Sequence, residues 1–181
     1  MRVVAGSARG LRLAAPHGDG IRPTGDRVRE AVFNALHSRG AVVGASVLDL
    51  FAGTGALGIE ALSRGAARAV FVECSRSHAD LIEANLATCG FSDRAEVVVA
   101  DARTWLAANS GPWDLALLDP PYSFDDWPAL LAGLDADLVV VESDRAFGQA
   151  LGWHVERVRR YAGTVVTLLS PEDGDPGSSP P

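Results

Sequence analysis

From Ser46 onward the chain repeats one unit, a short apolar run followed by a helix-like stretch, and that repeat restricts the possible folds more than any other feature. The runs are Val47–Phe51, Ala69–Glu73, Glu96–Ala100, Leu115–Leu118 and Leu138–Glu142. Each has strand length and is rich in residues that favour buried strands. Helical patterning over Ala56–Ser63, from Ser77 to Thr88, and around Ala102–Ala108 separates the first four. Strands separated by helices pair side by side in one direction, so the expected architecture is a mostly parallel sheet covered on both faces. Two last runs, Trp153–Tyr161 and Thr164–Leu169, flank Ala162-Gly163 and predict a hairpin that adds an antiparallel edge. A short helix is expected over Arg145–Leu151.

The amino end reads differently. Residues 2–5 and 11–15 suggest two short strands around a Gly6–Gly10 loop. Val28, Ala31, Val32, Ala35 and Leu36 share one face of a helix over Asp26–Leu36, capped by Thr24 or Asp26. Residues 1–45 are thus expected as an extension, 46–169 as the core, and 170–181 as a disordered tail. That tail has four Pro, three Ser, three acids and two Gly, and nothing that builds a core.

At 181 residues and 48% hydrophobic content, one domain with a sizeable core is expected, and we expect a monomer. Cys74 and Cys89 form no CxxC pair, which suits reduced thiols in the cytoplasm. The four histidines are scattered, so no metal site is expected, and no signal peptide or membrane span is apparent. The net charge is −7, yet residues 1–39 hold seven arginines against three acids, while the remainder holds nine against twenty. A basic amino end on an acidic body suits a local phosphate-contacting patch.

Gly53-Thr54-Gly55-Ala56-Leu57-Gly58 matches G-x-G-x-x-G between a strand and a helix. Such a loop fits a dinucleotide, with Glu73 on a ribose. Asp49 argues otherwise: its charge would face the place a pyrophosphate must occupy. A ligand carrying an ammonium and a sulfonium would find that acid favourable. The run Asp49–Gly55, Phe51 and Thr54 included, resembles motif I of class I S-adenosylmethionine-dependent methyltransferases. On that reading Glu73 takes the ribose hydroxyls, and Asp101, followed by Ala102, meets the adenine amino group. Glu73 and Asp101 also suit helix caps, a common role for acids after strands.

Asp119-Pro120-Pro121-Tyr122 follows the fourth run directly and resembles the motif IV of methyltransferases acting on base amino groups. An exocyclic amine is a poor nucleophile because its lone pair is delocalised into the ring. Asp119 and the Pro120 carbonyl can each accept an amino hydrogen, Pro121 stiffens the turn, and Tyr122 can stack on the base.

Three further blocks narrow the resemblance. They are Arg2-Val3-Val4-Ala5-Gly6-Ser7-Ala8-Arg9-Gly10-Leu11-Arg12-Leu13, then Arg22-Pro23-Thr24 with Asp26-Arg27-Val28-Arg29-Glu30, then Phe51 through Ala66. Together they resemble the RsmD family, bacterial methyltransferases of a guanine N2 in 16S ribosomal RNA. The resemblance implies a Rossmann-like seven-stranded sheet, an RNA-contacting amino-terminal hairpin, and a substrate presented within an assembling small subunit. Arg2, Arg9, Arg12, Arg22, Arg27 and Arg29 are the candidate RNA contacts, although Arg27 and Arg29 can instead pair with Asp26 or Glu30. The competing readings are a DNA amino-methyltransferase, a non-catalytic RNA-binding assembly factor on the same fold, and a dinucleotide-dependent oxidoreductase.

Overall fold

The computed structural model describes residues 1–15, 25–146, 152–161 and 163–172. Arg22, Pro23, Thr24, the 147–151 part of the expected helix, and residues 173–181 of the expected tail lie outside them. Strands β1 (Ser46–Leu50), β2 (Arg68–Glu73), β3 (Ala95–Val99), β4 (Trp113–Leu118), β5 (Ala136–Ser143), β6 (Trp153–Tyr161) and β7 (Thr164–Pro171) form one sheet. Its order is β3-β2-β1-β4-β5-β7-β6. The first five strands are parallel, and β7 and β6 close the edge antiparallel. β7 runs two residues further than expected, so residues 170 and 171 belong to the sheet.

The helices are α1 (Asp26–Ser38), α2 (Ala56–Ser63), α3 (Arg76–Cys89), α4 (Ala102–Leu106) and α5 (Trp127–Ala132). Side-chain alternation splits the core in two. Val47, Phe71, Leu115, Leu117 and Val140 pack with Phe33, Leu57 and Ile82 on one face. Leu48, Val72, Leu118 and Val141 pack with Leu106, Leu130 and Leu131 on the other. Chain order along the sheet reverses between β1 and β4. Their diverging crossovers leave a crevice at the carboxyl ends, where ligands bind in folds of this kind.

The expected amino-terminal hairpin is present in short form: an antiparallel bridge joins Arg2 and Arg12, flanked by Val3 N–H donating to Leu11 O at 3.0 Å, Gly10 N–H to Val3 O at 2.9 Å and Leu13 N–H to Met1 O at 3.2 Å. Side chains of the core hold this segment as well. Val4 and Ala5 donate their N–H groups to the two oxygens of Glu60, at 2.8 and 3.0 Å. Ala8 N–H donates to Ser63 Oγ at 3.0 Å, and Ser63 Oγ donates to Ala5 O at 2.5 Å. Gly6 lies so close to α2 that an added Cβ would fall 1.8 Å from Ser63 O. Ala14 exchanges two bonds with Asn85 on α3, which also donates to Thr54 O at 3.0 Å. The amino-terminal segment is thereby fastened to the glycine loop.

Candidate active site and its relatives

Period-two alternation puts Asp49, Glu73, Asp119 and Glu142 on the same face, near the carboxyl ends of β1, β2, β4 and β5 in turn. Asp49 is 1% exposed and accepts Gly58 N–H at 2.8 Å. Burial drives its carboxyl well above the ordinary range; the Gly58 bond opposes this, and the charges of Asp119, Glu73 and Glu142 reinforce it. A group whose folded value is raised binds more protons folded than unfolded, so stability falls as pH climbs from the unfolded value to the folded one. Asp49→Asn keeps an acceptor for Gly58 and removes the buried charge. It is expected to melt above the wild type at neutral pH, with the difference closing below about pH 4. Equal melting temperatures at neutral pH would contradict this.

The strand β1 ends in a strained turn. Phe51 has φ of 60°, a left-handed conformation that costs a non-glycine residue of order 1–3 kcal/mol. Its ring meets Phe124 edge-on at 5.4 Å, and Phe124 meets Trp127 at 4.9 Å. Gly55 caps α2 at φ of 75°, and an added Cβ there would lie 3.1 Å from Ile82. Glu73 reaches across to this loop, accepting Gly53 N–H at 2.8 Å and Ser75 N–H at 2.9 Å. Thr54 and Ala102 are buried.

Asp101 is the N-cap of α4. Its Oδ1 accepts both the N–H and the hydroxyl of Thr104 at 3.0 Å, and those bonds hold its carboxyl below the ordinary range. The capping role anticipated as an alternative for Asp101 is therefore present, on a side chain that stays exposed. A groove of about 400 Å³ runs from Asp101 along Thr104, Leu106 and Leu130. Across it, Arg103 Nη1 meets Asp126 Oδ2 at 2.6 Å.

After β4, Asp119 is half-buried, Pro120 is buried and Pro121 is exposed. Phe124 N–H closes the turn on Pro121 O at 2.8 Å. The Tyr122 hydroxyl lies 3.5 Å from Gly163 O and 3.3 Å from Thr164 Oγ1, which fixes the ring against the β6–β7 turn. Tyr122 as a whole is 37% exposed. Pro120, Pro121 and Tyr122 border a shallow recess with Trp127, Ser143 and Asp144.

A family profile described as Conserved hypothetical protein 95 matches residues 1–169. The chain belongs to that family, the RsmD family. It is 43% identical over 122 residues to "Ribosomal RNA small subunit methyltransferase D" of Escherichia coli, an alignment covering 67% of this chain and 60% of that relative. The chain thus spans less than two thirds of this relative's length. A candidate rRNA methyltransferase of Bacillus subtilis, YlbH, is 37% identical over 155 residues, covering 80% of this chain and 83% of the relative. The solved structure of a candidate methyltransferase, yhhF of Escherichia coli, superposes with a TM-score of 0.82 at 36% identity, covering 95% and 98% of the two chains.

Within this RsmD-family chain the sequence-predicted RNA contacts separate into two kinds. Arg2, Arg9, Arg12 and Arg27 are exposed, and Arg2 donates to Gly10 O at 3.0 Å. Arg29 is not a surface contact. It is 0% exposed, donates to Arg2 O at 2.5 Å and Asp26 Oδ1 at 2.8 Å, and lies 3.6 Å from Glu60. Its expected alternative of pairing with Asp26 is the one realised. Glu60, Ser63 and Asn85 were not singled out from sequence. Each is a polar residue on a helix face that is otherwise buried, and that mismatch was the available signal. Among the described residues no helix is long and apolar enough to cross a membrane, and no group of three His, Cys, Asp or Glu is placed to hold a metal ion.

Proposed function

We propose that this chain transfers a methyl group from S-adenosylmethionine to the exocyclic N2 amine of a guanine in 16S ribosomal RNA. The observation that carries this reading is the adjacency of two half-sites. Asp119-Pro120-Pro121-Tyr122 leaves β4 beside β1, which carries Asp49 and leads into the glycine loop. Donor and acceptor would share one crevice.

The residues present fit this cofactor better than a pyrophosphate. The acids clustered on one face would attract a ligand bearing an ammonium and a sulfonium and disfavour a phosphate, and a bound cation would in turn favour the ionised form of Asp49. Asp49, Phe51, Gly53, Thr54 and Gly55 would hold the methionine end. Glu73 would take the ribose hydroxyls, because a carboxylate oxygen already accepting Gly53 N–H has capacity for another donor. Asp101 and Ala102 would meet the adenine, beside a groove of small-molecule size. When bound, S-adenosylmethionine supplies an electrophilic methyl on its sulfonium.

This chain's own residues then act on the acceptor. Asp119 Oδ and the Pro120 carbonyl accept the two amino hydrogens, turning the nitrogen lone pair toward the donor and favouring its pyramidal transition state. Tyr122 stacks on the base, a contact worth about 1–3 kcal/mol. Transfer would be direct and in line, the N–C bond forming as the C–S bond breaks to leave a neutral thioether and the nitrogen losing one proton to solvent, with positioning supplying much of the rate. The base must leave its stack to enter. Arg2, Arg9, Arg12 and Arg27 contact phosphates, and the substrate is the assembling small subunit, bound by a monomer. The name of the Escherichia coli relative supports a small-subunit RNA. The family resemblance of the amino end supports guanine over the adenine and cytosine amines that the same turn would accept.

The test is transfer of labelled methyl from S-adenosylmethionine to small subunits from cells lacking this protein, run beside duplex DNA. Incorporation into the subunits alone is expected. Incorporation into DNA alone, or into neither by protein that binds the cofactor, would exclude the reading.

A further inference from the structure

The edge strand β6 carries three arginines, Arg157, Arg159 and Arg160, all exposed. Among the described residues, no carboxylate lies within ion-pair reach of them. Glu156, the acid on the same strand, is engaged by Arg39, the C-cap of α1. An uncompensated basic row is out of character for a chain with net charge −7. One explanation is protection: charged side chains on an edge strand discourage sheet-to-sheet pairing. The register argues for more. A shift between Val155 and Arg157 realigns the strand, so Arg157 lies opposite Leu168, Arg159 opposite Val166, and Arg160 opposite Val165. Val166 in turn lies opposite Glu142 on β5. Glu142 follows the Leu118–Val141 pair by one residue, as does Asp119. Asp119, Glu142, Val166 and Arg159 therefore form one row across the sheet, on one face. Three strand spacings separate its ends, about 14 Å, which an arginine side chain and a nucleotide together can bridge. Arg157 shares that face and Arg160 points to the other. The turn that ends this strand is also the one that holds the Tyr122 hydroxyl.

We propose that Arg157 and Arg159 on β6 form a second phosphate-contacting surface, which binds the RNA backbone flanking the base held at Asp119 and Tyr122. This rests on the RNA reading above and adds a surface distinct from the arginines of the amino end. Phosphate contacts fix register without reading sequence, so the surface would set which nucleotide reaches the turn.

The test uses full-length protein with Arg157→Glu and Arg159→Glu, singly and together, and Arg160→Glu as the opposite-face comparison. All three keep a charged edge, so edge protection survives in each. Two readouts are needed: KM for methyl transfer to unmodified small subunits, and the salt dependence of subunit binding measured without cofactor. The double variant is expected to raise KM at least tenfold and to flatten the log K against log salt slope by about 0.7 per lost contact. Arg160→Glu should change KM less than threefold, and cofactor affinity and melting temperature should hold throughout. Unchanged KM and slope in the double variant, or an equal effect from Arg160→Glu, would overturn the proposal. If the wild type binds subunits in a salt-dependent way but transfers no methyl group, the functional reading fails. In that case the binding slopes still decide whether β6 contacts phosphate.

Discussion

Asp119→Ala is expected to reduce methyl transfer about 10²–10³-fold, the usual cost of removing one preorganised polar partner from a developing charge. Asp119 is half-buried one residue past β4, where the strand hands over to two prolines. The backbone there is stiff, so on the proposed reading an oxygen at that position would meet the amine in one geometry. Removing it takes away an interaction that strengthens as the nitrogen becomes pyramidal. The loss should therefore appear in kcat, with kcat/KM falling in parallel and the cofactor Kd moving less than about threefold. Asp119→Asn retains one acceptor oxygen and is expected to fall between the wild type and alanine. Steady-state kinetics with a parallel cofactor titration reads both quantities. Unaltered turnover in Asp119→Ala would remove this residue from the mechanism.

The largest expected effect on stability is at Glu60, far from the acceptor turn. Its side chain is 0% exposed and sits between Arg29, also 0% exposed, and Arg64, whose Nε donates at 2.7 Å. It also accepts the N–H groups of Val4 and Ala5. Truncation to alanine would leave the Arg29 charge buried with one carboxylate fewer and two backbone donors without their acceptor. Breaking a buried pair in this way costs about 3–5 kcal/mol. For a chain of this size that corresponds to a melting temperature lower by roughly 6–20 °C. Glu60→Gln preserves an acceptor and should lose less. Thermal melts and limited proteolysis check it, with the first cleavage expected within residues 1–15. A melting temperature within about 2 °C of wild type would show that the amino-terminal segment is held by other means.

These two residues illustrate what the sequence made legible. The sheet could be read because its central strands are buried on both faces, so their apolar runs are nearly continuous and bounded by glycine, acid or proline. The acids at the strand ends could be placed for the same reason: a period of two assigns a face once a strand is recognised. Helix α5 was not anticipated; Pro128 occupies its first turn, where the lack of an N–H costs nothing. The amino-terminal hairpin was legible in outline, and its antiparallel bridge is present, but its fastening to α2 through Glu60 and Ser63 was not. The pairing of Arg29 with Asp26 was legible from their spacing on one helix, but its burial against Glu60 was not, because Glu60 lies on another helix and no local pattern joins them. The bonds from Asp49 to Gly58 and from Glu73 to Gly53 were equally hidden, being contacts between elements rather than within them.

On the proposed reading, the turn Asp119-Pro120-Pro121-Tyr122 presents a guanine amino group to the methyl donor. Nucleoside analysis of the small-subunit RNA after reaction with labelled S-adenosylmethionine addresses it most directly. The account predicts label in N2-methylguanosine, at one position, and its loss with Asp119→Ala. Label in a methylated adenosine or cytidine, or on a ribose, would contradict it.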